Sequence, residues 1–304
     1  MAFTAKDVQQ LREKTGCGMM DCKKALVESD GDMTKAVEFL REKGLAAAEK
    51  KSGRIAAEGI VLAYVDEKNG TGAVIEVNSE TDFVAKNADF QNFVELLAKT
   101  VAEQNPADVE QLENMTPPDE KMTVVELLRE KILTIGENIK IRRFVRYEGV
   151  VSSYIHGGGR IGVMAKFDVS LSVAENDSFK EAAKDICMQI AAANPLFLNK
   201  DSVPAETIEY EKKILTEQVI NEGKPANIAE KIVMGKIGKY YKENCLLEQA
   251  YIKDGDVNVS KFLENTSKEL GGDIKIVSFV RLEKGEGLQK RDDNFADEVA
   301  GMIN

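Results

Sequence analysis

The sequence predicts an α+β fold in several pieces, and three observations carry that prediction. Residues 1–50 show only short helical apolar patterns, whereas strand runs alternate with helical ones from Gly59 onward. The strand–helix portion is present twice. Only its second copy carries a long, charged, helix-patterned insertion.

The first 50 residues read as three helices. Thr4 followed by Asp7 offers a capping-box start, Val8 and Leu11 an apolar face, and Gly16 a stop. A second helix runs from Met19-Met20 to Val27, with Ala25 and Leu26 facing inward, and Asp30-Gly31-Asp32 then turns the chain. Ala36, Val37 and Leu40 mark a third helix expected to end near Gly44. The stretch 46–54, rich in alanine and lysine, reads as a connector, a solvated linker in preference to a helix, giving a module over 1–50.

Strands are expected over 59–65 and 73–78 around a turn. A helix follows, because Phe90, Phe93, Val94, Leu97 and Val101 fall on one face. Moving 89 positions on repeats this layout. Val84-Ala85-Lys86-Asn87 lands on Val173-Ala174-Glu175-Asn176, Phe90 on Phe179, and Asn105-Pro106 on Asn194-Pro195. Phe179, Ala182, Ala183, Ile186 and Ile190 form the matching helix face. Each copy closes with a further helix and strand, 123–136 with 139–148 and 258–271 with 274–283, now at an offset of 135. The growth from 89 to 135 places 46 extra residues in the second copy. Two helices, about 204–221 and 226–242, flank Gly223-Lys224-Pro225 there, so a helical hairpin arm is expected at about 198–244.

The predicted architecture is therefore core subdomains at 56–148 and 149–284, each with a small antiparallel sheet, and a tail at 285–304. In the tail, Phe295, Val299, Met302 and Ile303 form one apolar stripe on a final helix that docks on the core or on a partner.

Composition excludes several function classes. A net charge of −11 opposes a protein whose main task is gripping phosphate backbones, so no direct nucleic-acid binding is expected. No apolar run suits a membrane span and no secretion signal is seen, which predicts a cytoplasmic protein. Cys17, Cys22, Cys187 and Cys245 lack metal or redox spacing and read as buried, inert thiols. With one histidine, His156, and no glycine-rich phosphate loop, no metal site, cofactor or bond-making chemistry is expected. His156-Gly157-Gly158-Gly159 resembles an oxyanion loop superficially, but no nucleophile elbow accompanies it. It reads instead as a hairpin loop with one exposed contact residue.

One pair fails to repeat. Asp82-Phe83 lands on Leu171-Ser172 in the second copy. A scaffold used twice keeps what folding needs in both copies, so the pair is a candidate for contact with another macromolecule. The local alternative for Phe83 is that it staples the following helix, while Asp82 reads as a cap of that helix, a contact residue or both.

Several separated motifs resemble the bacterial elongation factor Ts family, over essentially the whole chain. They are residues 11–26 (Leu-Arg-Glu-Lys-Thr-Gly-Cys-Gly-Met-Met-Asp-Cys-Lys-Lys-Ala-Leu), Glu76-Val77-Asn78 with Thr81-Asp82-Phe83-Val84-Ala85, and Gly136-Glu137-Asn138-Ile139. His156 with residues 158–163, and Gly223-Lys224-Pro225, complete the set. The resemblance implies a guanine-nucleotide exchange factor for the GTPase elongation factor Tu, with a ubiquitin-associated-like N-terminal module on the GTPase domain. It further implies an arm that mediates self-association in some members, hence a possible homodimer, and a C-terminal helix reaching the partner. Thr81, Asp82, Phe83 and Val84 would act near the magnesium and phosphate site, with His156 a second contact. Met19 and Met20 are core by pattern but near the partner by resemblance, and Phe295, Val299 and Met302 would be C-terminal contacts. The competing class is an interaction adaptor with no effect on nucleotide release.

Overall fold

The computed structural model describes residues 3–289, apart from residue 224 and the side chains of residues 226 and 227. Three helices come first: α1 (Ala5–Thr15), α2 (Met19–Glu28) and α3 (Met33–Lys51). Thr4 and Asp7 close the capping box on α1, and Gly16 ends it in the left-handed region at φ 66°. Val8, Leu11, Cys22, Leu26 and Leu40 form a small core of their own.

The third helix departs from the sequence expectation. It passes through Gly44 and the supposed linker to Lys51. Gly44 is a contact glycine rather than a stop: a Cβ there would lie 3.4 Å from the Arg129 carbonyl oxygen, so its bare backbone lets α3 approach another helix closely. Alanines 46–48 then propagate α3, and Ala48 packs on the core of the first sheet.

The first sheet unit follows. It comprises β1 (Glu58–Asp66), β2 (Thr71–Ser79), the short α4 (Asp82–Ala85), α5 (Ala88–Gln104), α6 (Val109–Asn114), α7 (Val124–Ile135) and β3 (Lys140–Glu148). The second comprises β4 (Val150–His156), β5 (Ile161–Val169), α8 (Leu171–Ala174), α9 (Asp177–Ala193), the arm helices α10 (Ala205–Asn221) and α11 (Ala226–Asn244), and the hairpin β6 (Ala250–Tyr251) and β7 (Asp254–Asn258). It ends with α12 (Val259–Leu270) and β8 (Ile274–Glu283). The sheets run β1-β2-β3 and β4-β5-β8, all antiparallel. The fold is thus a mixture of helices and antiparallel sheets. The sequence did not reveal α6 or the β6–β7 hairpin, which are short and carry no periodic apolar pattern.

The residues that recur in sequence recur for local reasons. Asn87 and Asn176 cap α5 and α9, their side chains accepting from the Asp89 amide at 2.8 Å and the Ser178 amide at 2.9 Å. Asn105 and Asn194 end the same helices at φ 52° and 46°, in the left-handed region asparagine tolerates. The predicted stripes on α5 and α9 are buried throughout.

Helices cover one face of each sheet, and the bare faces pack together through Val61, Val74, Met164 and Leu282. The order is helices, sheet, sheet, helices. Gly162 lets the sheets close, since a Cβ there would stand 2.3 Å from Val61 Cγ1.

The arm helices pack antiparallel around Val219, Ala229, Val233 and Ile237, a cluster separate from the other cores. At its base the Leu196 and Phe197 amides donate to the Asn244 carbonyl at 2.9 and 3.0 Å. Replacing residues 210–237 by a short Gly/Ser linker should therefore leave the rest folded, because closing a short loop between adjacent helices costs little. A single cooperative melt near the parental temperature is the expected result. The tail stripe of Phe295, Val299 and Met302 lies outside the described residues.

Candidate partner-binding site

Where β2 ends, the chain turns sharply, and a single carboxylate holds that turn. One oxygen of Glu137, just beyond α7, accepts from the Glu80 and Thr81 amides at 3.0 Å each. The other accepts from the Thr81 hydroxyl at 2.6 Å. Ser79 Oγ donates to the Thr81 carbonyl at 3.0 Å, and Glu80 accepts from the Asn138 amide at 2.6 Å. Bonds to an ionised acceptor are the stronger kind, so the turn is held firmly before any partner arrives.

On this pedestal α4 sorts its side chains. Val84 and Ala85 are buried in the first core, whereas Asp82 and Phe83 are exposed, Phe83 at 79% of its surface. Lys86 Nζ bonds Asp82 Oδ2 at 2.7 Å and lies 5.9 Å from the Phe83 ring centre. The Lys86 bond, helped by the more distant Lys284 charge, holds the Asp82 carboxyl below its ordinary range.

Both local alternatives fail. An aromatic ring this exposed staples nothing, and the cap of the following helix is Asn87 rather than Asp82. Val84, grouped with the contact residues from sequence, packs inward; Thr81 is half-buried and bonded to Glu137. These two build the platform and Asp82 and Phe83 form its outer face. In the second unit Leu171 is also exposed, at 76%, without an acidic neighbour at the next position.

His156 is exposed at the end of β4, its Nδ1 3.2 Å from Tyr154 Oη. The hairpin tip beyond it needs glycine at Gly159: φ is 93°, and a Cβ would sit 2.9 Å from Ile60 Cβ. The Gly159 carbonyl accepts from the Val61 amide at 2.8 Å, which lays the tip against β1. The α4 turn approaches that same end of β1, where Glu58 pairs with Ser79. Met19 and Met20 are exposed at the start of α2, at 58% and 73%, which removes the core reading. The preceding Gly16 meets Thr134 near the end of α7, the helix that delivers Glu137. Glu137 was missed as a site residue. It stood in a quoted motif, but nothing in a sequence marks a bond across 56 positions.

Beneath the site lies Glu76, fully buried on β2. Burial pushes its carboxyl up, but the Gly285 amide, Arg142, Arg143 and Asn78 together outweigh that and bring it below its ordinary 4.5. A lowered folded-state value means the unfolded chain takes up the proton first as pH falls. The stabilisation is then complete above about 4.5 and is lost progressively below it. Melting wild type and Glu76→Gln in parallel should show a constant gap near neutrality that closes only in that acid range.

All four cysteines are buried, and burial pushes the Cys187 thiol up to about 12. Among the described residues no cluster of three or more His, Cys, Asp or Glu is placed to hold a metal ion, and no helix is long and apolar enough to cross a membrane.

Residues 80–286 match the family described as Elongation factor TS, a span that runs from the clamped turn to the exit of β8. The chain belongs to the elongation factor Ts family. Family members from Clostridium kluyveri, Clostridium botulinum strain Eklund 17B and Clostridium perfringens strain SM101, each described as Elongation factor Ts, are 54%, 55% and 56% identical to it over 99% of both chains. Membership in the elongation factor Ts family places the chain in the elongation phase of protein biosynthesis.

Proposed function

We propose that this chain promotes GDP release from the GTPase elongation factor Tu by pressing Asp82 and Phe83 against the region that holds magnesium and phosphate. The carrying observation is an aromatic ring 79% exposed beside a carboxylate on a turn whose backbone is already clamped. Such a ring contributes nothing to the fold and is ready to be buried elsewhere.

A GTPase holds GDP through backbone amides, a lysine and Mg²⁺ acting together. An exchange factor has to bind the loosened, nucleotide-free state better than the GDP state. The coupling is reciprocal: the factor weakens GDP binding by the ratio that GDP weakens the factor. A ratio of about 10⁴ needs only ~5.5 kcal/mol, within reach of one or two aromatic anchors and a disturbed metal site. No acid, base or cofactor enters this account, and neither nucleic acid nor a bilayer is part of the contact.

The finer assignments belong to the same proposal. The two sheet units are copies of one ancestor, supported by their shared strand–helix order and matching caps. The ubiquitin-associated-like first module, through Met19 and Met20, and His156 extend the contact. The tail residues Phe295, Val299 and Met302 add to it, and the arm can pair two copies. The protein works in the cytoplasm.

The test is release of fluorescent GDP from purified elongation factor Tu, with and without this protein. Accelerated release at sub-stoichiometric amounts is expected. Binding without acceleration would identify an adaptor instead.

A further inference from the structure

A carboxylate shielded from water sits where the two sheet units meet. Glu76 Oε1 accepts from the Gly285 amide at 2.7 Å, Arg142 Nη1 at 2.9 Å and Asn78 Nδ2 at 3.1 Å, while Oε2 accepts from Arg143 Nε at 2.6 Å. Arg143 Nη2 continues to the Glu283 carbonyl at 3.2 Å and Glu286 Oε2 at 3.1 Å. Gly285 fits so closely that a Cβ there would stand 2.3 Å from the Ala57 carbonyl oxygen, at a φ of +69°. The exit of β8, which belongs to the second unit, is thereby clipped into the first.

The clip connects the two exposed contact regions. Beside Gly285, the Lys284 amide donates to the Arg160 carbonyl at 2.9 Å, and the Arg160 amide donates to the His156 carbonyl at 3.0 Å. The Lys284 side chain pairs with Glu58, whose strand partner Ser79 begins the Phe83 turn. On the other side Glu76 itself lies three residues before Ser79 on β2.

We propose that Glu76 is a positioning residue for nucleotide exchange: through Gly285 and Arg143 it fixes the His156 hairpin of one unit relative to the Phe83 turn of the other, so that both meet the GTPase as one preorganised surface. This rests on the exchange reading above. The apolar layer between the sheets is held by burial, which carries no direction of its own. The bond between the Val61 amide and the Gly159 carbonyl ties only the hairpin tip. The buried carboxylate, with four donors in fixed directions, selects one register. Two anchors at a fixed separation act as a bivalent ligand whose effective concentration falls when the connection loosens.

That physics gives a test that simple destabilisation does not mimic. Glu76→Gln is introduced into the full chain, into Phe83→Ala and into His156→Ala. Fluorescent GDP release is measured at partner concentrations below half-saturation, with folding checked by circular dichroism. In the parent, Glu76→Gln should slow release about tenfold, as expected when effective concentration drops. In either single-anchor background the same change should cost less than about twofold, because nothing remains to be held in register. An equal loss in all three backgrounds, or no loss in the parent, overturns the proposal. Should Glu76→Gln fail to fold, Gly285→Ala takes its place, since it dislodges the clip without removing a buried charge, and the same non-additivity is expected. If folded Phe83→Ala exchanges as fast as the parent, the exchange reading itself falls and takes this inference with it. That outcome is distinct, because Glu76 is intact in that comparison.

Discussion

Phe83→Ala is expected to slow stimulated GDP release by about 10- to 150-fold and to leave the protein folded. The magnitude follows from burying one phenyl group at an interface, roughly 1.5–3 kcal/mol. The direction follows from its surroundings. The ring is exposed in the free chain, so its removal opens no cavity and costs the fold little. A core phenylalanine would behave oppositely, losing ~3–5 kcal/mol of stability. The swap Asp82→Leu with Phe83→Ser, which installs the residues of the second unit, should likewise stay folded and exchange poorly. Asp82→Ala adds no more than its own effect, because the two side chains are adjacent and share Lys86. A sharp drop in melting temperature with normal exchange per folded molecule would defeat the contact reading.

Glu137→Ala is expected to produce an exchange defect of similar size without altering any exposed side chain of the turn. Its carboxylate accepts three bonds from Glu80 and Thr81, and bonds to a charged acceptor contribute about 1.5–3 kcal/mol each in partly buried settings. Much of that is recovered when the released turn meets water, so a net loss of about 1.5–3 kcal/mol in preorganisation, or 10- to 150-fold in exchange, is expected. Glu137→Gln retains acceptor capacity through its amide oxygen and should fall between alanine and wild type. Titration calorimetry supplies the check: the alanine variant should show a more unfavourable binding entropy, the signature of a segment ordered only on contact. Unchanged exchange by a folded Glu137→Ala would mean that the turn needs no clamp.

The exposure of Phe83 was legible because its absence from the second copy marked it as something the scaffold does not need. The reading of Val84 went astray because a motif is contiguous in sequence while α4 alternates its faces, turning Val84 into the core. Gly44 was misread for a related reason. A glycine that ends a helix and one that admits a neighbouring helix look alike until the neighbour, here the backbone at Arg129, is in place.

The sequence by itself determined the order of the longer helices and strands, the apolar stripes that define them and the inserted helical arm. All of these arise from interactions between residues a few positions apart, so spacing encodes them. Only the tertiary structure decided that the bare faces of the two sheets pack together, that Glu137 grips the turn beneath Phe83, and that Glu76 on β2 holds the Gly285 turn beyond β8. Those contacts link positions from 56 to 209 residues apart. At such separations no periodicity survives, and a buried carboxylate reads like any other glutamate until folding brings its donors to it.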